Sequence, residues 1–125
     1  MMPDNKNQRD HWIGFDLGGT KMLCCVYNEK FEQVGRARKK TKGREGMKVG
    51  LERINNTIAE ALDDAGVKAD QVGGLGIGCP GPLDLKKRRL RVAPNLGWED
   101  VPIADSIEKE FGLSLIHISE PTRPY

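Results

Sequence analysis

The segment Asp16-Leu17-Gly18-Gly19-Thr20-Lys21 combines residue types that suit phosphate binding. Two consecutive glycines can turn the chain sharply and expose successive backbone N–H groups, which fit phosphate oxygens. Thr20 adds a hydroxyl donor, and Asp16 at the end of the preceding apolar run can hold Mg²⁺ or its water shell. The same residues also fit an ordinary tight hairpin beside an acidic residue. The pattern by itself leaves both interpretations open.

Two stretches approach or match other nucleotide-binding motifs, but residues in or after each stretch argue against the helix that the motif requires. The stretch 14–21 approaches a P-loop, yet its last residues are Thr-Lys rather than Lys-Thr, and a strand-like run follows where a helix is required. The stretch 76–81 matches G-x-G-x-x-G, but Pro80 and Pro82 forbid the helix that must begin there. A dinucleotide-binding fold is therefore disfavoured.

The cysteines and histidines carry little chemical information. Cys24 and Cys25 are neighbours on a predicted strand, so their side chains point to opposite faces, which favours packing over pairing or metal binding. Cys79 has no histidine near it in sequence, and we interpret it as a small packing residue. His11 and His117 are isolated.

The composition describes a soluble chain of one domain at most. Its 125 residues include 20 Lys and Arg against 18 Asp and Glu, and the net charge of +2 excludes a strongly basic nucleic-acid binder. The basic stretches 36–44 and 86–91 lack interleaved aromatic residues, so we expect a solvated strand face and a hairpin tip. The mean hydropathy is −0.54. We expect a cytoplasmic protein, because no secretory signal or membrane span is visible and the three cysteines form no disulfide framework.

The first half of the chain contains the elements that would hold the glycine turn. Strands are predicted over 12–17, 21–27 and 34–40, joined by short turns into an antiparallel meander. Apolar residues at spacings of three and four from Met47 to Ala65 predict an amphipathic helix that ends at Gly66.

The second half contains a buried strand, a hairpin and a second helix. Residues 72–78 are short, apolar and glycine-rich, which predicts a buried strand. The alternation over 83–92 predicts an exposed hairpin, while 79–82 and 94–98 are predicted loops. Asp100 is the predicted N-cap of a helix that has Pro102 in its first turn and stops at Gly112.

Three segments in this order resemble the opening motifs of ROK-family sugar kinases, the repressor, ORF, kinase group, and most of all its bacterial glucokinase-like members. The segments are 16–21, 76–84 and 93–98. The resemblance implies an α/β protein with the actin-like ATPase (ribonuclease H-like) fold, of which this chain holds the N-terminal domain only. Its mixed sheet is expected to start with antiparallel β-β-β, followed by a helix and a parallel strand.

The resemblance also implies ATP- and Mg²⁺-dependent transfer of a phosphoryl group to a hexose hydroxyl. The implied ATP-phosphate contacts are Gly18, Gly19, Thr20 and Lys21. The metal is expected near Asp16, and the sugar at the backbone of Gly81 and at the side-chain amide of Asn95, which can both donate and accept. Glucose is the first expected hexose, ahead of N-acetylglucosamine and N-acetylmannosamine.

The catalytic base of the family has no counterpart in this chain. The family continues after the second helix with an apolar strand and an Asn-Asp pair whose Asp is the base, whereas residues 113–125 read LSLIHISEPTRPY. Asp105 is no substitute, because it lies near the start of a predicted helix. We therefore expect a disordered tail over 1–11, a partial kinase domain over 12–113, a non-native tail over 114–125, and no activity from the chain alone.

Two alternatives accompany the kinase interpretation. One is a sugar-responsive transcriptional regulator of the same family, which would carry a helix-turn-helix ahead of the first strand; only about a dozen residues precede Ile13, too few for two helices. The other is a non-catalytic sugar- or nucleotide-binding module. The expected partners are a hexose and ATP, with no nucleic acid and no membrane, and the resemblance implies a homodimer for the full-length form.

Overall fold

The three predicted N-terminal strands form one side of a five-stranded mixed sheet. The computed structural model describes residues 9–18, 20–42, 45–78, 83–84, 89–93, 98–112 and 116–119. In chain order its elements are β1 (His11–Leu17), β2 (Lys21–Tyr27), β3 (Gln33–Lys40), α1 (Met47–Ala65), a 3₁₀ turn (Ala69–Gln71), β4 (Val72–Gly78), β5 (Leu83–Asp84), β6 (Arg89–Ala93), β7 (Trp98–Val101), α2 (Ile103–Phe111) and β8 (Ile116–Ser119). The first three strands pair antiparallel in chain order, as their short connections require.

Parallel strands complete the sheet on the other side of β1. Its strand order is β3-β2-β1-β4-β8, with β4 parallel to β1 and β8 parallel to β4. This is the mixed sheet that the sequence predicts. The short strand β8 lies in the segment predicted to be non-native and ends before Pro121. The non-native origin of residues 114–125 stays a prediction.

One hydrophobic core lies between the sheet and the two helices. The pleat directs Ile13, Phe15 and Leu17 of β1 into it. Both helices contribute buried side chains to the same core, which includes Met22, Ile54, Ile58, Leu75, Ile103 and Ile107. The layer of helices therefore covers one face of the sheet.

Both helices end at the glycines that the sequence predicts as stops. Gly66 after α1 and Gly112 after α2 both have φ of 69°, the left-handed conformation in which glycine has no steric penalty. The Gly112 N–H donates to the Glu108 carbonyl at 2.8 Å, which satisfies a carbonyl that the helix leaves free. Within the described residues, neither helix is long and apolar enough to cross a membrane.

A second sheet of three antiparallel strands, ordered β5-β6-β7, follows β4 in the chain. The pairing of Leu83 with Leu90 confirms the predicted hairpin. The prediction for Asp100 is wrong: it lies in β7, and α2 begins at Ile103 with Pro102 as N-cap and no side-chain cap bond. Pairing of β7 with β6 extends the strand across this position, a tertiary contact that local patterns do not reveal.

The first strand starts slightly earlier in the chain than predicted. β1 starts at His11, one residue before the predicted strand. The Arg9 guanidinium donates from Nη1 to the Val72 carbonyl at 3.1 Å, which ties the entering chain to β4. Residues 1–8 lie outside the described part of the chain.

Candidate functional site

The carboxyl ends of the parallel strands bring two of the predicted segments to one edge of the sheet. Asp16 near the end of β1 is in register with Gly78 at the end of β4. The Gly18 turn follows β1, and the segment 79–82 follows β4, so both segments start from this edge. In open α/β sheets, ligands bind outside the carboxyl ends of the strands, which makes this edge the candidate site.

The connection from β1 to β2 is a tight turn whose first residue has to be glycine. The Gly18 N–H donates to the Lys21 carbonyl at 3.0 Å. A Cβ at Gly18 would lie 2.7 Å from that same carbonyl oxygen, a distance that backbone atoms do not tolerate. Thr20 and Lys21 are exposed beside the turn, while Gly19 lies outside the described residues. Three of the four predicted phosphate-binding residues therefore lie together at this turn.

Thr41, which belongs to none of the predicted motifs, holds the turn from the end of β3. Its backbone N–H donates to the Thr20 carbonyl at 2.8 Å, and its hydroxyl donates to the Gly18 carbonyl at 2.9 Å. The residue is fully buried. A single threonine after a basic strand carries no sequence signal for this contact, because its partners are more than twenty residues away.

Two lysines lie side by side next to the turn. Lys21 on β2 and Lys40 on β3 are directly opposite in the antiparallel register, and both are exposed. Like charges in this position cost stability, so a bound anion at the turn would offset their repulsion. Lys40 is a second cation at the site that the motif alone did not indicate.

Asp16 is exposed and carries a carboxylate that fits a hydrated magnesium ion. It lines a solvent-open cavity of about 280 Å³ on the sheet face opposite the helices, together with Gly14, Leu23, Tyr27 and Gly76. Neither ion pair found among the described residues involves Asp16. Mg²⁺ in phosphoryl-transfer sites is bound by one or two carboxylates, substrate phosphates and waters, which these surroundings can accommodate.

The predicted sugar-binding residues Gly81 and Asn95 lie outside the described part of the chain. The residues that flank Asn95 are described: Ala93 at the end of β6 pairs with Trp98 at the start of β7. Gly78, which precedes the Gly81 segment, lies beside Asp16. The sugar site stays a prediction.

The cysteines of β2 adopt the predicted opposite orientations. Cys24 packs in the core, whereas Cys25 lines the cavity on the other face, and both thiols are free. Burial, and secondarily the neighbouring Cys25, raises the pKa of Cys24 to about 12. Cys24 therefore serves packing, and Cys79 lies outside the described residues.

His11 is less isolated in the fold than in the sequence. Its Nδ1 lies 2.8 Å from the Asp10 carboxylate, and the ligand atoms of Asp10, His11 and Glu29 lie within 4.8 Å of one another. The group stands at the start of β1, at the opposite end of that strand from the glycine turn. It contributes nothing to the candidate site.

A profile of the ROK family matches residues 12–120. A glucokinase from Halalkalibacterium halodurans is 31% identical over 113 residues, which cover 86% of this chain and 33% of that protein. A putative xylose repressor from Caldicellulosiruptor sp. (strain Rt8B.4) is 32% identical over 101 residues, covering 81% of this chain and 25% of the repressor. The chain thus spans a third or less of the length of these relatives.

Solved structures show the same likeness in three dimensions. The ROK hexokinase from Thermus thermophilus superimposes with a TM-score of 0.75 and 29% identity, covering 88% of this chain and 35% of the hexokinase. A ROK family glucokinase from Streptomyces griseus in complex with glucose and AMPPNP superimposes with a TM-score of 0.72 and 26% identity. The match covers 88% of this chain and 33% of the glucokinase. These likenesses confirm the expected fold, the N-terminal part of an actin-like ATPase.

Proposed function

We propose that this chain, which belongs to the ROK family, is the N-terminal part of a sugar kinase that transfers a phosphoryl group from ATP to a hexose hydroxyl. The observation that carries the proposal is the meeting of the Gly18 turn, Asp16 and the end of β4 at one sheet edge. The likeness to glucokinases, one of them in complex with glucose and AMPPNP, supports ATP as donor and glucose as the first substrate.

In this proposal the glycine turn binds the ATP phosphates. The backbone N–H groups of Gly19 and Thr20 and the Thr20 hydroxyl would donate to phosphate oxygens, while the Gly18 N–H closes the turn onto the Lys21 carbonyl. Lys21 lies next to them in the chain and supplies positive charge where negative charge accumulates during transfer. Phosphoryl transfer requires mainly positioning and charge neutralisation, and the turn supplies both.

Asp16 would hold Mg²⁺ through its water shell. The ion, when bound, neutralises phosphate charge, and the carboxylate accepts hydrogen bonds from the coordinated waters. Its place beside Gly78 and two residues before Gly18 supports this role.

Gly81 and Asn95 would bind the hexose. Glycine has no side chain, so Gly81 would allow the sugar to approach its backbone, and the Asn95 amide can donate to one sugar hydroxyl and accept from its neighbour. The base that must take the hydroxyl proton is the Asp of the family's Asn-Asp pair, and no such pair occurs in these 125 residues.

Nuclear magnetic resonance on the isotope-labelled chain tests the proposal directly. MgATP at up to about 10 mM, above ordinary substrate affinities, is expected to shift the amide signals of Gly18, Thr20 and Lys21. The Asp16→Asn variant should lose the Mg²⁺-dependent part of that shift, whereas Asp105→Asn, an exposed aspartate on α2, should retain it. Shifts centred on α2, or none at the turn, would contradict the proposal.

Glucose titration of the same sample tests the sugar site. Glucose should perturb the Asn95 side-chain amide, and Asn95→Ala should weaken the glucose response without changing the MgATP response. Equal loss of both responses would remove Asn95 from the sugar site.

A sugar-responsive regulator is the second candidate, because the putative xylose repressor matches this chain as well as the glucokinase does. A regulator needs to bind sugar but does not need to transfer phosphate. A chain that responds to xylose or glucose but shows no MgATP response at the Gly18 turn would favour this function.

A further inference from the structure

Thr41 connects the end of β3 to both carbonyls that bracket Gly19. Its N–H donates to the Thr20 carbonyl at 2.8 Å, and its hydroxyl donates to the Gly18 carbonyl at 2.9 Å. The side chain has no exposed surface. A buried hydroxyl needs a partner, and this one finds it in the proposed phosphate-binding turn.

A turn that contains two consecutive glycines requires an external restraint if it is to bind with a preset geometry. Glycine loses more conformational freedom on ordering than any other residue, so an unrestrained turn would incur that cost when the ligand binds. The Gly18 N–H bond to the Lys21 carbonyl closes the turn, and the two Thr41 bonds restrain the carbonyls of Gly18 and Thr20.

We infer that Thr41 is a positioning residue for phosphate: it does not touch the nucleotide but, through its bonds to the Gly18 and Thr20 carbonyls, presets the glycine turn for binding. This inference rests on the proposed nucleotide site. It adds a residue more than twenty positions from the glycine motif, on a different strand connection.

Three variants separate this role from a purely structural one. Thr41→Val keeps the shape and the backbone N–H bond but removes the hydroxyl, whereas Thr41→Ser keeps the hydroxyl. Thr57→Val is the matched control, because Thr57 is also fully buried and its hydroxyl donates to the Arg53 carbonyl at 2.6 Å on α1. If Thr41→Val does not fold, Thr41→Ala removes the hydroxyl without a new methyl group in its place.

The first measurement is the heteronuclear NOE of the Gly18 and Thr20 amides in the ligand-free chain. Thr41→Val should lower it and Thr41→Ser should restore it, while Thr57→Val should leave it unchanged even where stability falls. An unchanged NOE in Thr41→Val would overturn the inference whether or not the chain binds nucleotide.

The second measurement is MgATP affinity from the titration of the turn amides. Thr41→Val should weaken binding about tenfold, the size of one neutral hydrogen bond, with recovery to within about twofold in Thr41→Ser. Affinity equal to the wild type in a folded Thr41→Val chain would refute the positioning role and leave the nucleotide site standing. A wild-type chain that binds no MgATP would instead refute the proposed function, and with it the phosphate role of Thr41.

Discussion

Neighbouring side chains on β2 experience very different surroundings although they are adjacent in sequence. Cys24 is enclosed by the core, whereas Cys25 and Tyr27 line the cavity on the opposite face. Burial raises the pKa of the Cys24 thiol from 9.0 to about 12, and burial followed by the charge of Cys25 raises the pKa of the Tyr27 phenol. The folded chain therefore favours the protonated form of both side chains.

These pKa shifts predict a loss of stability in alkali. Because the folded-state pKa of Cys24 is raised, its contribution is fully present below pH 9, the unfolded value, and disappears as the pH rises toward 12. The free energy of unfolding should fall by about 1.4 kcal/mol per pH unit in that window on account of this thiol. Urea unfolding at several pH values measures the slope.

Cys24→Ala should flatten this pH dependence, although it lowers stability at neutral pH by leaving a small cavity. Cys25→Ala is the matched variant and should retain most of the slope. An identical slope in the wild type and in Cys24→Ala would show that the thiol is not responsible.

The contact between α1 and β3 depends on a glycine that no motif marks. A Cβ at Gly35 would lie 2.6 Å from the Ala65 Cβ and 2.8 Å from the Ala61 carbonyl oxygen. Helix and strand can approach this closely only because Gly35 has no side chain. This contact limits how closely α1 can approach β3, which is the edge strand of the sheet.

Gly35→Ala should therefore reduce the free energy of unfolding by about 1–3 kcal/mol, the usual cost of overpacking a core. Gly76→Ala is the control, because a Cβ there meets no atom within 4 Å. It should leave stability unchanged or raise it by about 0.5–1 kcal/mol through the loss of glycine flexibility. Urea unfolding followed by circular dichroism compares the two, and equal effects would contradict the packing explanation.

The register of β2 and β3 predicts an anion effect. Since Lys21 and Lys40 are directly opposite, Lys40→Gln should raise the thermal midpoint slightly in a buffer without multivalent anions, by relieving a repulsion of about 0.2–1 kcal/mol. The same variant should gain less stability from added pyrophosphate than the wild type does. Thermal unfolding with and without pyrophosphate measures both effects.

Lys30→Gln provides the comparison for that experiment. Lys30 is exposed in the connection between β2 and β3, at the opposite end of these strands from the Gly18 turn. It should change neither the midpoint nor the pyrophosphate response. Loss of the response in both variants would indicate a diffuse charge effect rather than a site at the turn.

For the molecule as a whole, we predict that the purified 125-residue chain does not phosphorylate glucose. Transfer to a hydroxyl requires a base for its proton, and the Asn-Asp pair of the family does not occur in this sequence. A coupled assay for ADP with glucose and ATP, with a bacterial glucokinase as positive control, should give the blank rate. ATP-dependent glucose phosphorylation above the blank would contradict this prediction.

Local patterns determined most of the secondary structure of this chain. The alternation in β1 and β2, the helical spacing from Met47 to Ala65 and the stop at Gly66 depend on residues close in sequence, and the structure confirms them. The same reasoning was wrong at Asp100. This residue was predicted to cap α2, but it lies in β7, which pairs with β6. Propensity is a weak preference, and a paired strand satisfies several backbone groups at once.

The sequence by itself determined the glycine turn, the carboxylate beside it and the family motifs, because these are runs of adjacent residues whose chemistry is intrinsic. Only the tertiary structure decided that Gly78 lies beside Asp16, that Lys40 faces Lys21 and that Thr41 holds the turn. Each of these contacts joins residues some twenty or more positions apart, across strand pairs whose register is set by the burial of a whole face. No local pattern encodes such a register. The residues that surround the turn therefore could not be predicted without the strand pairing of the folded sheet.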